Sequence, residues 1–117
     1  MLNIRHTGIV VSDAERSIEF YTKLLGFEIK KDMIESGDYI DNFSALKDVI
    51  VRTIKMTLGN GDMVELLNYH THPELPDMSR PITRIGCSHF AMTVENLDET
   101  YTRLVDAGVE FNSPPQF

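Results

Sequence analysis

Residues 5–29, RHTGIVVSDAERSIEFYTKLLGFEI, decide the fold of this 117-residue chain. The stretch predicts a strand, a tight turn, an amphipathic helix, a glycine that ends the helix, and a second strand. The same pattern is repeated at residues 88–111, SHFAMTVENLDETYTRLVDAGVEF. When the two are aligned, His6 falls on His89 and, after the loss of one residue, Gly26 falls on Gly108. The sequence therefore predicts a duplicated unit with one histidine in the first strand of each copy.

Composition and charge exclude several classes of function. The chain is 42% hydrophobic and carries a formal charge of −7, so it lacks the basic surface that nucleic acids and anionic membranes require. A single cysteine, Cys87, excludes an intrachain disulfide and suits a reducing compartment. No apolar run reaches the roughly 20 residues of a membrane-spanning helix, and the N-terminus does not resemble a signal peptide. We predict a cytoplasmic protein with neither a nucleic-acid nor a membrane partner.

The first copy contains a clear helix with start and stop signals. Residues 4–11 predict a strand that places His6 on the same face as Gly8 and Val10. Ser12 and Glu15 form the S-x-x-E pattern of a capping box, which predicts a helix from there to residue 25. Gly26 can adopt the left-handed conformation that ends a helix. A strand over 27–33 follows.

The rest of the first copy predicts one irregular segment and one hairpin. Residues 35–48 show no clear period and predict a long excursion, with room for a helical turn, of a kind that is often a lid or disordered. Residues 49–58 and 62–69 predict two strands. Gly59-Asn60-Gly61-Asp62 lies between them and favours a type I′ turn, because Asn-Gly tolerates positive φ.

The second copy is shorter than the first. Residues 70–84 contain three prolines and predict a linker, after which the second copy begins at Ile85 with a strand that carries His89. Asn96 is placed to cap a helix that Gly108 ends, and residues 109–111 begin another strand. Only nine residues follow Gly108, whereas the first copy uses about 40 after Gly26. We therefore expect the chain to be a fragment, or another polypeptide to complete the second copy.

Three residues are candidates for the ligands of one divalent ion: His6, Glu65 and His89. Imidazole together with carboxylate suits Ni, Zn, Co, Mn or Fe(II). Glu65 lies within an apolar strand, where an unpaired carboxylate is costly unless it binds a metal. Each residue alone has an ordinary explanation, as a core or surface side chain. Their joint pattern, with the histidines at equivalent places of a repeat, favours the metal site.

Other polar residues carry weaker signals. Arg52 lies among Ile50, Ile54 and Met56, where it is either a clamp for a substrate carboxylate or a surface arginine whose stem packs on apolar side chains. His70 and His72 form an H-x-H pair in the linker that is better explained as solvated loop. Cys87 has no partner base in the pattern and is better explained as a small buried thiol.

The chain resembles the vicinal oxygen chelate superfamily, which contains glyoxalase I, bleomycin-resistance and extradiol dioxygenase proteins. The resemblance is carried by HTGIVVSDAERSIEFYTKLLGFEI, by GDMVELLNY and by SHFAMTVENLDETYTRLVDAGVEF. It implies an α+β fold of paired βαβββ modules that form a metal-binding cup. The first module would span 1–69, a linker 70–84, and the start of a truncated second module 85–117. The implied ligands are His6, Glu65 and His89, and the sequence has no residue for a fourth ligand on a final strand.

The resemblance also ranks the activities. Glyoxalase I-like proteins commonly place a glutamate where Glu65 stands, which implies a lyase or isomerase acting on a small α-hydroxycarbonyl or thioester. In such a site the metal acts as a Lewis acid, and a carboxylate such as Glu65 moves the proton next to the carbonyl. Two alternatives remain open: a non-haem Fe(II) dioxygenase, and a metal-free protein of the bleomycin-resistance type that sequesters a small molecule. A homodimer is expected, because family members commonly pair their cups and an incomplete module leaves an open sheet edge.

Overall fold

A computed structural model describes residues 1–117, which divide into two units, Met1–Pro76 and Asp77–Phe117. The first unit contains strand β1 (Thr7–Val10), helix α1 (Ala14–Glu19) with a π-helical continuation (Phe20–Leu24), strand β2 (Glu28–Ser36), helix α2 (Asp38–Ser44), strand β3 (Ile50–Thr57) and strand β4 (Met63–Tyr69). The four strands form one sheet in the order β1-β4-β3-β2. β1 is parallel to β4, and the other neighbours are antiparallel. The mixed α+β fold predicted from the sequence is confirmed.

Helix α1 begins one residue later than its capping pattern predicts. Asp13, and not Ser12, is the N-cap, and its Oδ1 accepts a hydrogen bond from the amide of Arg16 at 3.0 Å. Both side chains are good caps, but the carboxylate of Asp13 also interacts favourably with the positive end of the helix dipole. At the other end Gly26 has φ +81°, so the predicted left-handed helix stop is confirmed.

One face of the sheet packs against α1 and buries a set of apolar side chains. Ile54 and Met56 of β3 pair with Leu66 and Val64 of β4, and Ile54, Met56 and Leu66 are fully buried. The amide of Asn68, on this same face, donates to the carbonyl of Val11 at 3.0 Å, which ties β4 to the turn that enters the helix. We call this surface the helix face of the sheet.

The irregular excursion predicted over 35–48 is an ordered helix and turn. Ile40 of α2 is buried in a cluster with Val49 and Val51, and Leu67 and Tyr69 pack against that cluster. The carboxylate of Asp41 accepts hydrogen bonds from the amides of Asp48 and Val49, each at 2.9 Å. These two hydrogen bonds hold the start of β3 against α2. Residues 35–48 are therefore ordered both by apolar packing and by hydrogen bonds.

The predicted hairpin is present, but its turn is not type I′. That turn needs positive φ at Asn60 and Gly61, whereas the positive values are found at Gly59 (+88°) and Gly61 (+91°). The side chain of Asn60 instead accepts a hydrogen bond from the amide of Asp62 at 3.0 Å. Because the ladder ends at Thr57 and resumes at Met63, the connection is a longer loop shaped by this side chain.

In the second unit the regular element is helix α3 (Leu97–Asp106). Asn96 caps it by accepting from the amide of Glu99 at 3.1 Å, and Gly108 ends it with φ +91°, both as predicted. The predictions of a strand around His89 and of another over 109–111 are wrong, since both segments are irregular. A strand exists only with a hydrogen-bonded neighbour, and the structure pairs neither segment with another strand. None of the helices has the length and apolar character to cross a membrane.

We expect Asp41→Asn to lower the melting temperature at pH 7, because an amide offers one acceptor oxygen for two backbone N–H groups. The two amide hydrogen bonds, from Val49 and then Asp48, lower the pKa of Asp41 below its ordinary 3.8. The stabilisation is therefore complete above about pH 4 and is lost as the pH falls through the lower pKa of the folded state. Thermal unfolding from pH 7 to pH 2.5 would measure it.

Asp38→Asn, in the first turn of the same helix, is the matched control for the loss of one charge. A difference between wild type and Asp41→Asn that stays constant down to pH 2.5 would contradict the role given to the carboxylate.

Candidate metal centre

Glu65 lies in the middle of the sheet, on the face opposite to the helix face. It stands between Lys55 of β3 and Gly8 of β1 in the register of the strands. Only 9% of the residue is exposed. Because Glu65 has the opposite parity to Val64 and Leu66, the alternation of β4 directs its carboxylate to the face opposite to α1. We call this surface the Glu65 face of the sheet.

His6 lies beside Glu65. It immediately precedes β1, two residues before Gly8, and its alternation places it on the Glu65 face. His6 Nε2 is 3.8 Å from Glu65 Oε1, and 37% of the imidazole is exposed. Two residues that are 59 positions apart in sequence thus become neighbours, because β1 and β4 are adjacent parallel strands.

The pair fits two ligands of one divalent ion. A metal bonded to a histidine nitrogen and a carboxylate oxygen at about 2.0–2.2 Å each leaves those two atoms roughly 3–4 Å apart. The observed separation of 3.8 Å lies in that range. No group of three or more His, Cys, Asp or Glu side chains comes together as a complete ligand set. The first unit therefore supplies two ligand-type groups, which need further ligands from elsewhere.

His89 lies in the second unit, on irregular backbone and exposed to solvent. The strand that would have placed it as the equivalent of His6 is not formed. Its role as the third ligand therefore remains a prediction from the repeat.

Arg52 lies outside the predicted cup. It pairs with Asn68 on the helix face, and its guanidinium forms a two-point contact with Asp32, with Nε–Oδ1 at 2.9 Å and Nη2–Oδ2 at 2.7 Å. Nη1 donates to Glu15 of α1 at 2.5 Å. Hydrogen bonding to Arg52 lowers the pKa of Asp32, and hydrogen bonds with Asp32 and Glu15 raise the pKa of Arg52. The prediction that Arg52 clamps a substrate inside the cup is corrected: strand parity puts it on the opposite face from Glu65, where it joins β2, β3 and α1.

Lys55 is the residue at this site that the sequence analysis missed. Its Nζ is 3.9 Å from Glu65 Oε2, and 29% of its side chain is exposed. The sequence contained the signal for this contact, because a hairpin that is symmetric about residue 60 places Lys55 directly across from Glu65. A basic side chain thus stands on one side of the buried carboxylate and His6 on the other.

Comparison with known proteins identifies the family to which the chain belongs. The model of the Glyoxalase/Bleomycin resistance protein/Dioxygenase superfamily matches residues 3–116. The chain belongs to this superfamily.

Two sequence relatives come from Bacillus subtilis (strain 168). The uncharacterized protein YurT is 30% identical over 111 residues, a match that covers 93% of this chain and 77% of YurT. The uncharacterized protein YwkD is 27% identical over 110 residues, covering 92% of this chain and 73% of YwkD. Neither name specifies an activity.

Solved structures share the fold. A glyoxalase family protein from Bacillus cereus has a TM-score of 0.77 at 23% identity, covering 92% of this chain and 73% of that one. The trypanothione-dependent glyoxalase I of Leishmania major has a TM-score of 0.66 at 22% identity, covering 99% and 73%. At these identities the likeness establishes the fold.

We expect Arg52→Met to reduce the free energy of unfolding by about 1 kcal/mol, since a two-point arginine–carboxylate contact that is partly exposed contributes an amount of this order. Metal binding should not change, because Arg52 and Glu65 are on opposite faces. Urea denaturation and metal titration would test both parts. Arg16→Met, at an exposed position of α1, is the control. Loss of metal affinity in Arg52→Met at unchanged stability would contradict this assignment.

Proposed function

We propose that this protein is a metal-dependent lyase or isomerase of the glyoxalase I type, acting on a small α-hydroxycarbonyl compound or thioester. The observation that carries the proposal is the pair formed by His6, which immediately precedes β1, and Glu65 of the adjacent strand β4, with 3.8 Å between Nε2 and Oε1 in a superfamily member. A sheet that only sequesters a ligand has no need for a buried carboxylate next to an imidazole.

His6, Glu65 and His89 are the proposed metal ligands, and Ni, Zn, Co, Mn or Fe is the proposed ion. When bound, the ion supplies Lewis acidity to the oxygens of the substrate. His6 would contribute an imidazole nitrogen, and 37% of its side chain is exposed. The burial of Glu65 holds its carboxylate in one place, because both neighbouring strands restrict it.

Glu65 is also the proposed proton carrier. The reaction class requires a base within hydrogen-bonding distance of the carbon next to the carbonyl group. Glu65 projects from the centre of the sheet on the face opposite to α1, where the cluster of Ile40, Val51 and Leu67 also lies, and 11% of its side chain is exposed. The proposed substrate reaches its oxygens through that exposed part. In the proposed reaction it removes the proton from one carbon and returns it to the neighbouring carbon or oxygen.

Elemental analysis of protein purified without chelator or histidine tag tests this function. We expect about one divalent transition metal per chain in the wild type, and loss to background in His6→Ala and Glu65→Gln, since each removes a ligand. Glu35→Gln is the matched carboxylate control, because Glu35 lies on the same face but accepts from Thr53 at 3.2 Å. His70→Ala is the matched histidine control.

The identity of the metal then selects the activity. Ni, Zn or Co supports the lyase or isomerase, whereas bound Fe(II) favours the dioxygenase alternative. A wild type that holds no metal and cannot be loaded with Ni, Zn, Co, Mn or Fe(II) overturns the proposal. The sequestering alternative, of bleomycin-resistance type, then takes its place.

The proposal includes a homodimer in the cytoplasm. The edge strand β1 supports the dimer, because Val10 is 68% exposed and one side of the strand has no neighbour. The acidic composition and the single cysteine support the location. Sedimentation equilibrium should give the mass of two chains, and the mass of one chain at micromolar concentration would contradict the dimer.

A further inference from the structure

Two lysines and one carboxylate stand in a row across the sheet. The register pairs Lys31 of β2 with Lys55 of β3, and Lys55 with Glu65 of β4. Partners in an antiparallel pair project to the same side, so all three lie on the Glu65 face. The register of β2 shifts between Ile29 and Lys31, and this irregularity sets which lysine of β2 faces Lys55.

This row places two ammonium groups and one carboxylate on the same face, with Lys31 exposed to solvent. Like charges directly opposite each other on neighbouring strands destabilise a sheet. The chain as a whole is acidic, with 18 Asp and Glu against 11 Lys and Arg, so neighbouring lysines are not the product of an excess of basic residues. Two other carboxylates of β2 already have partners of their own. Glu28 pairs with Lys30 at 3.2 Å, and Glu35 accepts a hydrogen bond from Thr53.

Glu65 does not satisfy Lys55. The separation of 3.9 Å between Lys55 Nζ and Glu65 Oε2 exceeds the length of a hydrogen bond, so the two groups form an ion pair that is not hydrogen-bonded. The three N–H donors of the ammonium therefore remain available to a ligand. The same carboxylate also faces His6, and a divalent ion bound there would add further positive charge beside Lys55.

From these contacts we propose that Lys55, assisted by Lys31, binds an anionic group of the substrate, so that the substrate class narrows to small α-hydroxycarbonyl compounds bearing a carboxylate. This inference rests on the proposed function, because His6 and Glu65 hold the reacting end of the same molecule. The ammonium lies on the β3 side of Glu65 and His6 lies on the β1 side. A short substrate on this face thus has its reacting oxygens near Glu65 and its carboxylate toward β3.

Two matched probes test the proposal by calorimetry. Hydroxyacetone and hydroxypyruvate share the hydroxycarbonyl group and differ by a methyl in place of a carboxylate. We expect wild type to bind hydroxypyruvate at least about tenfold more tightly than hydroxyacetone, as a charged hydrogen bond warrants. Lys55→Met should lose that preference while its affinity for hydroxyacetone is unchanged, and Lys55→Arg should keep it. Lys31→Met should lower the affinity for hydroxypyruvate by a smaller factor than Lys55→Met. Lys23→Met, on the helix, should leave that affinity unchanged.

The outcomes separate this inference from the function on which it rests. Each titration is run on metal-loaded and on metal-free protein, with the metal content of Lys55→Met measured alongside. Equal weakening of both probes in Lys55→Met, or no change in hydroxypyruvate binding, overturns the inference and leaves Lys55 as a counter-ion of Glu65. In another outcome, the wild type takes up no metal but binds hydroxypyruvate, and Lys55→Met does not bind it. That result overturns the proposed function and retains the anion site. Wild type that binds neither probe in either form overturns the inference.

Discussion

The register of the β3–β4 hairpin is the constraint on which the rest of the first unit depends. It places Ile54 across from Leu66 on the helix face and Lys55 across from Glu65 on the other. Because side chains alternate along a strand, a slip of one residue would turn the carboxylate into the core and the leucine out of it. The burial of Ile54, Met56 and Leu66 under α1 therefore also determines where the polar chemistry lies.

The charged residues on the two faces of the sheet have different roles. On the helix face, Arg52 is bound by Asp32 and Glu15 and joins two strands to a helix. On the Glu65 face, the distances from Glu65 to His6 and Lys55 are 3.8 and 3.9 Å, too long for direct hydrogen bonds. The satisfied cluster is structural, and the incompletely satisfied one is the better candidate for binding a ligand.

Local patterns predicted local structure well. The glycine that ends α1, the two hairpin strands and the Asn96 cap were all visible from residue spacing, since each depends on neighbours within a few positions. Errors arose where two local solutions compete, as with Ser12 and Asp13 at the start of α1, or where a partner is required. Strands predicted at His89 and over 109–111 failed for the second reason, because alternation alone does not provide a hydrogen-bonded neighbour.

By itself the sequence determined the superfamily, the βα organisation of the first unit and the residue types of the candidate site. It singled out His6 and Glu65 because an imidazole in a repeated strand and a carboxylate in an apolar one are both unusual. Only the tertiary structure decided that β1 lies beside β4, which makes these two neighbours, and that Arg52 belongs to the opposite face. It also revealed Lys55 beside Glu65. The physical reason is that strand pairing joins residues far apart in the chain, while parity and register assign each side chain to one face of the sheet.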